Sequence, residues 1–227
     1  METSALKQQF DAIASKYDSQ RQHLIPPFQD FYTCGLPLLQ KVPQVHGVLD
    51  IGAGTGLFTW FLYQQFPQAT YTLVDLSPEM LAVAQQRFAG LPNFSFQVMD
   101  FAVQDLPGTY DVIISALAIH HLDDDQKFHL YQKVFTALNP GGLFINADQV
   151  QGRTPRFDAF YKSSWRTTIQ NSPLEKDAVQ RAFERIKLDK FAPLETQLQM
   201  LETIGFQEVD CIYKNLNFVV FAAIKEA

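Results

Sequence analysis

The segment Val48-Leu49-Asp50-Ile51-Gly52-Ala53-Gly54-Thr55-Gly56 constrains this chain more than any other. A short apolar run enters a glycine-rich turn, and helical spacing follows through Leu57, Phe61 and Leu62 until Pro67. A run this short, bounded by glycine, predicts a strand buried on both faces. Such strands belong to parallel sheets, whose crossovers need helices. The chain continues accordingly. Strands are predicted over 45–51, 69–74, 93–99, 110–115 and 143–147, and helices over 55–66, 77–88 and 124–138. Ser77 before Pro78 and Glu79 reads as an N-cap, and the acidic run 123–125 as a helix N-terminus favoured by the dipole. Asn139-Pro140-Gly141-Gly142 reads as the turn before strand five. The flanks differ from this core. Residues 4–20 and 27–41 read as helices broken at Pro26-Pro27, and 155–169, 173–188 and 194–204 are also helical. Strands over 206–213 and 216–224 follow, joined by Lys214-Asn215. A turn that short makes an antiparallel hairpin, so the sheet ends in a reversed strand.

Composition removes other classes. Apolar residues make up 47% and charged residues 19%, too apolar for a disordered chain. No stretch approaches about 20 uninterrupted apolar residues, so no membrane span is expected. The start, Met1-Glu2-Thr3-Ser4, lacks the basic-then-apolar pattern of a signal segment. Two cysteines, Cys34 and Cys211, make no disulfide framework and suit a reducing cytoplasm, where the protein is placed. The net charge is −6, and residues 46–150 carry three basic and ten acidic groups. That acidic block argues against a nucleic-acid partner, because phosphate binding needs clustered Lys and Arg. Aromatic residues reach 13% but are spread evenly: 5 of 45 before residue 46, 15 of 105 up to residue 150 and 10 of 77 after it. The surplus is therefore read as core packing.

The glycine turn opens a helix, and the free N–H groups there, with glycine's tolerance of positive φ, let a ligand approach the backbone. Asp75 lies 23 residues after Gly52, at the tip of the next strand, the ribose-binding spacing of nucleotide-binding α/β folds. A dinucleotide site wants G-x-G-x-x-G, but Leu57 stands where the last glycine should be. Asp50 is awkward beside a pyrophosphate and suits a cationic ligand, an amino group or a sulfonium. Asp50, Asp75 and Asp100 recur at three successive strand ends.

With these residues together, the chain resembles the class I S-adenosylmethionine-dependent methyltransferases over nearly its whole length. Asp50, Gly52, Ala53, Gly54 and Gly56 match the family's first motif, and Asp75 the acid that binds the ribose hydroxyls, with Leu76 and Met80 beside it. Asp100-Phe101 matches the segment beside adenine, and Ser115-Ala116-Leu117 the fourth-strand segment under the methionine part. The resemblance implies a Rossmann-like α/β fold of seven mostly parallel strands with the last antiparallel, a helical N-terminal cap and a helical insert after strand five. It divides the single domain into a lid (1–44), a cofactor-binding core (45–150), an insert (151–204) and a terminal hairpin (205–227). It implies S-adenosyl-L-methionine as cofactor, S-adenosyl-L-homocysteine as product and a small-molecule acceptor, in a monomer or homodimer. No resident metal is expected.

Methyl transfer from a sulfonium is an in-line displacement in which the protein mainly positions and desolvates. His120, after strand four, is the candidate general base, with His121 next to it. Asp148 follows strand five, at the carboxyl edge where open sheets bind ligands. Family members of small-molecule type often begin with a Tyr-Asp helix over the cofactor. That carries to Tyr17, expected at the cofactor and in catalysis, and to Arg21 one turn on, which could bind the cofactor carboxylate. Phe157, Tyr161 and Trp165, spaced i, i+4, i+8, form a helical stripe that could be an aromatic wall for the acceptor.

Two rivals remain open. From Asn139 to Phe221 the layout also resembles carboxy-S-adenosylmethionine synthase, which modifies the cofactor itself. The shared features are the helical insert, its basic helix, Gly205-Phe206 and Asn217-Phe218, and that family needs an Arg on the insert for the added carboxylate. Arg181 or Arg185 sits near the matching place, and spacing does not choose between them. A cofactor-binding module without catalysis is the other rival, against which the intact motif set argues. The Asn/Asp-Pro-Pro-Tyr/Phe signature of amino-methylating nucleic-acid enzymes is absent, since Ser115-Ala116-Leu117-Ala118 occupies its place.

Overall fold

A computed structural model describes residues 2–25, 27–42 and 44–227. Met1, Pro26 and Pro43 lie outside them, so the expected break at Pro26-Pro27 is seen from Pro27 alone. Seven strands, β1 (Gly47–Ile51), β2 (Thr70–Asp75), β3 (Phe94–Val98), β4 (Tyr110–Ala116), β5 (Leu138–Gln149), β6 (Glu208–Asn215) and β7 (Phe218–Ile224), form one sheet in the order β3-β2-β1-β4-β5-β7-β6. The first five pair in parallel, and β7 runs antiparallel to both β5 and β6. This is the Rossmann-like sheet with a reversed last strand.

Alternation along the buried strands sorts the core into two layers. Val48, Leu73, Val112, Ile114 and Ile145 point to one face, against Phe58 and Leu62 of α4 (Leu57–Tyr63) and Leu81 and Ala84 of α5 (Pro78–Arg87). Leu49, Ile51, Ile113 and Phe144 point to the other, against Leu130 and Val134 of α6 (Asp124–Ala137) and Leu201 of α9 (Leu194–Ile204). Each fully buried Leu, Ile or Phe contributes about 1.5–3 kcal/mol, so these layers hold the sheet rigid beneath its loops. Ser77 caps α5 by accepting from Met80 N–H at 3.1 Å. Asp123 and Gln126 form a capping box on α6.

The N-terminal helices are shorter than their periodicity suggests. The predicted helix over 4–20 becomes α1 (Glu2–Asp11), a 3₁₀ turn at Ala14–Lys16 and α2 (Tyr17–Leu24). The break brings the Phe10 and Tyr17 rings to 6.3 Å, both on one cavity described below. The helix over 27–41 becomes α3 (Phe28–Thr33) and a 3₁₀ stretch at Leu36–Lys41. Pro37 explains the break, because its ring cannot continue an α-helix. The insert forms α7 (Pro155–Gln170) and α8 (Lys176–Arg185), then a 3₁₀ turn at Ile186–Leu188.

Two turns differ from expectation. Asn139-Pro140-Gly141-Gly142 is a bulge inside β5, where Tyr110 pairs with Leu138 and Val112 with Leu143. Pro140 cannot donate to the ladder, and Asp111 holds the bulge by accepting from Asn139 Nδ2 at 2.8 Å. The terminal hairpin turns at Leu216-Asn217, not Lys214-Asn215, with Asn215 paired to Phe218. Buried Asn217 docks that turn on the sheet. Its side-chain amide donates to Gln149 Oε1 at 3.0 Å, and its carbonyl accepts from Val150 N–H at 2.9 Å.

Candidate active site

In this strand order the connections leave in opposite directions from β1 and β4, and ligands of open α/β sheets bind outside the carboxyl ends at such a switch point. A cavity of about 240 Å³ lies there, with Phe10 and Tyr17 on its N-terminal wall. The glycine turn forms its floor. Gly52 has φ +67°, and a Cβ on it would fall 2.3 Å from the Cβ of Ala118. Gly54 has φ +56°, and a Cβ there would meet the Met80 methyl at 3.2 Å. Only glycine permits both the backbone angle and the approach.

Asp50 and Asp75 are held very differently. Asp75 caps the cavity end of β2, where its carboxylate accepts from the N–H of Gly54 and of Ser77, both at 2.8 Å. Burial nonetheless pushes its pKa up to about 6. Asp50 accepts from Thr59 Oγ1 at 2.6 Å through one oxygen, while the other, Oδ1, is buried without a partner. Burial pushes its pKa up to about 7. A carboxylate so enclosed wants a cation.

α1 and α2 are pinned over the turn. Ser77 Oγ donates to Asp11 at 2.5 Å, Thr55 Oγ1 donates to Asp18 at 2.6 Å, and Arg87 binds Asp18 and donates through Nε to Thr55 O at 2.8 Å. Asp18 is thus the reason Tyr17 stays above the turn.

A second, smaller cavity of about 40 Å³ adjoins the first, sharing Phe10, His121 and Asp189 with it. Here His120 donates through Nδ1 to Asp148 Oδ1 at 2.5 Å, and its backbone N–H donates to Asp148 Oδ2 at 3.1 Å. Asp189 Oδ1 lies 3.5 Å from His120 Nε2 and 3.1 Å from His121 Nδ1. Burial alone would lower the His120 pKa, but the two carboxylates outweigh it and raise the pKa above 6.5. His121 goes the other way, lowered by burial and by the charge of His120.

A family model described as a methyltransferase domain matches residues 49–144. The N-methyltransferase NodS of Bradyrhizobium japonicum, solved with S-adenosyl-L-homocysteine, shares the fold with a TM-score of 0.67 at 18% identity, over 97% of this chain and 98% of its own. An uncharacterized methyltransferase of Bacillus cytotoxicus is 28% identical over 200 residues, 86% of this chain and 84% of that protein. Malonyl-[acyl-carrier protein] O-methyltransferase 1 of Ilyobacter polytropus is 26% identical over 140 residues, 60% of this chain, which spans about half (49%) of that relative's length. The match marks residues 49–144 as a methyltransferase domain, and together these similarities support a class I S-adenosylmethionine-dependent methyltransferase with S-adenosylmethionine as its cofactor.

The residues of the larger cavity fit S-adenosylmethionine. Beneath the cavity floor the buried Asp50 Oδ1 has no hydrogen-bond partner, and the glycine floor itself leaves space that a Cβ would fill. Of the residues expected at the cofactor, Tyr17, Gly52, Gly54, Asp75, Leu76, Met80, Asp100 and Phe101 line this cavity. The others do not. Asp50 is buried in β1 and Ala53 in the turn, and Gly56 backs onto the Phe88 ring, 2.6 Å from where its Cβ would be. Ser115 is buried and donates to Ile51 O at 2.8 Å, and Ala116 pairs with Ala147. Arg21 and His120 line the smaller cavity instead, because α2 carries Arg21 one turn past Tyr17.

The aromatic stripe splits. Successive i+4 positions rotate by about 40° around a helix, so Trp165 is buried on the smaller cavity while Phe157 is 53% exposed. Tyr161 is partly buried away from both cavities, with Lys214 Nζ 5.2 Å above its ring. Arg185 lines the smaller cavity, and Arg181 is exposed.

Asp189 carried no signal in the sequence. It is placed by long-range ties on its neighbour. Lys190 N–H donates to His120 O at 2.7 Å, and the buried Lys127 amine donates to Lys190 O at 2.7 Å. Phe10 read only as a helical residue beside Tyr17. His121 was legible only as the neighbour of His120. Among the described residues no helix is long and apolar enough to cross a membrane.

Proposed function

We propose that this methyltransferase passes the methyl group of S-adenosylmethionine to a small-molecule acceptor by in-line displacement. The cofactor is assigned to the larger cavity and the reacting part of the acceptor to its junction with the smaller one. The observation that carries this reading is that the two cavities meet at Phe10, His121 and Asp189. When bound, the cofactor supplies a methyl group on a positively charged sulfur, which becomes a neutral thioether once the methyl is lost.

The chain's own residues then do the positioning. Asp50 holds the cofactor's ammonium, Asp75 its ribose hydroxyls, and Asp100 with Phe101 its adenine. Tyr17, tied down through Asp18, covers the methionine end. Asp148 fixes the His120 ring and raises its pKa, so His120 serves as a positioning residue. His121 is the group left to take a proton from an O–H or N–H acceptor. It is neutral near pH 7, and its Nε2 is buried without a hydrogen-bond partner.

Asp75→Ala is expected to weaken S-adenosylhomocysteine binding by about 1–3 kcal/mol through loss of a ribose acceptor. Unchanged affinity by calorimetry would sink the adenosine assignment. His121→Gln should remove the acid limb of the pH profile of kcat/KM and lower its plateau by about 10²–10⁴-fold, the usual worth of a general base. A retained acid limb would remove His121 from proton transfer.

A further inference from the structure

Two arginines on the smaller cavity have no use in the reading above. Arg21 of α2 is buried, its guanidinium carbon 4.1 Å from the centre of the Tyr17 ring and its Nη2 bonded to the Tyr17 hydroxyl. Its Nε is buried with no hydrogen-bond partner. Arg185 of α8 faces the same cavity, and its Nη1 is likewise buried without a partner. Buried polar groups are normally paired, so two orphaned guanidinium donors on one small cavity ask for an acceptor from outside the chain. They also repel each other. Burial and the Arg21 charge together bring the Arg185 pKa down to about 10, and an anion between them relieves that repulsion. His120, His121 and Asp189 bring three donor atoms within 4.8 Å of one another, a spacing a cation could use, but the facing guanidinium groups set the charge of the cavity against one.

Size narrows the anion. A water-sized group needs about 10–15 Å³, so about 40 Å³ takes roughly three heavy atoms. A carboxylate fits that space, and its two oxygens match the planar fork of a guanidinium. Leu24, Trp165 and Ile186 give the cavity apolar walls, beside the polar side chains of His120, Gln149 and Asp189. Trp165 donates through Nε1 to Leu24 O at 3.0 Å, so its indole closes the cavity and offers no polar contact.

We infer that the smaller cavity is a carboxylate subsite, in which Arg21 and Arg185 hold the acid group of the acceptor while the methyl-accepting atom lies toward His121. The inference rests on the methyl-transfer reading for the identity of the ligand as acceptor. The carboxylate is a handle, because its lone pairs are engaged by the two guanidinium groups and it is a poor nucleophile there.

Trp165 reports on the cavity directly. In a Trp60→Phe background, which leaves Trp165 as the single tryptophan, the protein is loaded with S-adenosylhomocysteine and titrated with acetate, acetamide, chloride and phosphate at constant ionic strength. Acetate should change the Trp165 emission saturably in the millimolar range, with acetamide and chloride inert and phosphate at least tenfold weaker. Arg185→Gln should weaken acetate at least tenfold while S-adenosylhomocysteine affinity, measured by calorimetry, stays within twofold. Arg185→Lys, which keeps the charge but loses the fork, should fall between and covers the case in which Arg185→Gln does not fold. Equal responses to acetate and acetamide, phosphate binding tighter than acetate, or an acetate response unchanged in both Arg185 variants would overturn the subsite. Failure of the wild-type protein to bind S-adenosylhomocysteine would instead overturn the cofactor reading and leave the acetate response as a separate result.

Discussion

The Asp50→Asn protein is expected to gain stability at neutral pH and to lose its grip on S-adenosylhomocysteine. Asp50 is almost completely buried with one oxygen unpartnered, and its folded pKa of about 7 lies well above the 3.8 of an exposed carboxyl. A folded pKa above the unfolded one means that the group's favourable contribution is present below pH 3.8 and is lost as pH rises through about 7. The loss amounts to about 4 kcal/mol over that window. Asparagine does not titrate, and its amide oxygen can still accept from Thr59. Denaturant unfolding should therefore show the variant's advantage growing by about that amount between pH 4 and pH 8. Binding moves the other way. A charged acceptor lost from an ammonium costs about 1.5–3 kcal/mol, roughly 10- to 100-fold in affinity. A stability difference that does not change with pH would show that Asp50 carries no such burden.

Asp148→Ala is expected to cost about 3–5 kcal/mol, the usual penalty for removing one partner of a buried pair, and to lower Tm by roughly 10 °C. One carboxylate accepts here from the His120 ring, from His120 N–H and from Gln149 N–H. Without it, His120 faces Arg21 with only Asp189 to balance the charge. The sign with pH follows from the raised pKa of His120. A folded value above 6.5 stabilises fully below pH 6.5, and that contribution is lost as pH rises through the folded value. The deficit of the variant should be largest near pH 5.5. By pH 9 it should shrink toward the about 1–3 kcal/mol left by unmade backbone hydrogen bonds. Asp148→Asn, which keeps an acceptor but not the charge, should fall between. An equal deficit at both pH values would mean that His120 is not held charged by Asp148.

What the chain revealed in advance follows from how local each instruction is. β1, the glycine turn and the place of Asp75 at the end of β2 are written within 30 residues, in alternation, glycine and cap chemistry, and the structure has these elements there. The hairpin turn at Leu216-Asn217 was misplaced because Asn217 answers to Gln149 and Val150 across the sheet, a partner no local pattern names. Asp189 was invisible for the same reason: Lys127 and Lys190 position it over distances in sequence that periodicity does not see. The Phe157, Tyr161 and Trp165 stripe misled because regular spacing fixes a face of a helix but not where that helix runs past the edge of the body.

The two cavities are built from different stretches of chain. The floor of the larger one comes from residues 52–54, 75–80 and 100–101, while Arg21, Trp165 and Arg185 of the smaller one stand on α2, α7 and α8, outside the strand-and-turn core. Among the described residues only Phe10, His121 and Asp189 border both. An evolving lineage could therefore rewrite the helical flanks and inherit the methyl-donor machinery unchanged. New acceptor preferences should arise first at positions 21, 165 and 185, and changes at the three shared residues should be rare because each would disturb two ligands at once.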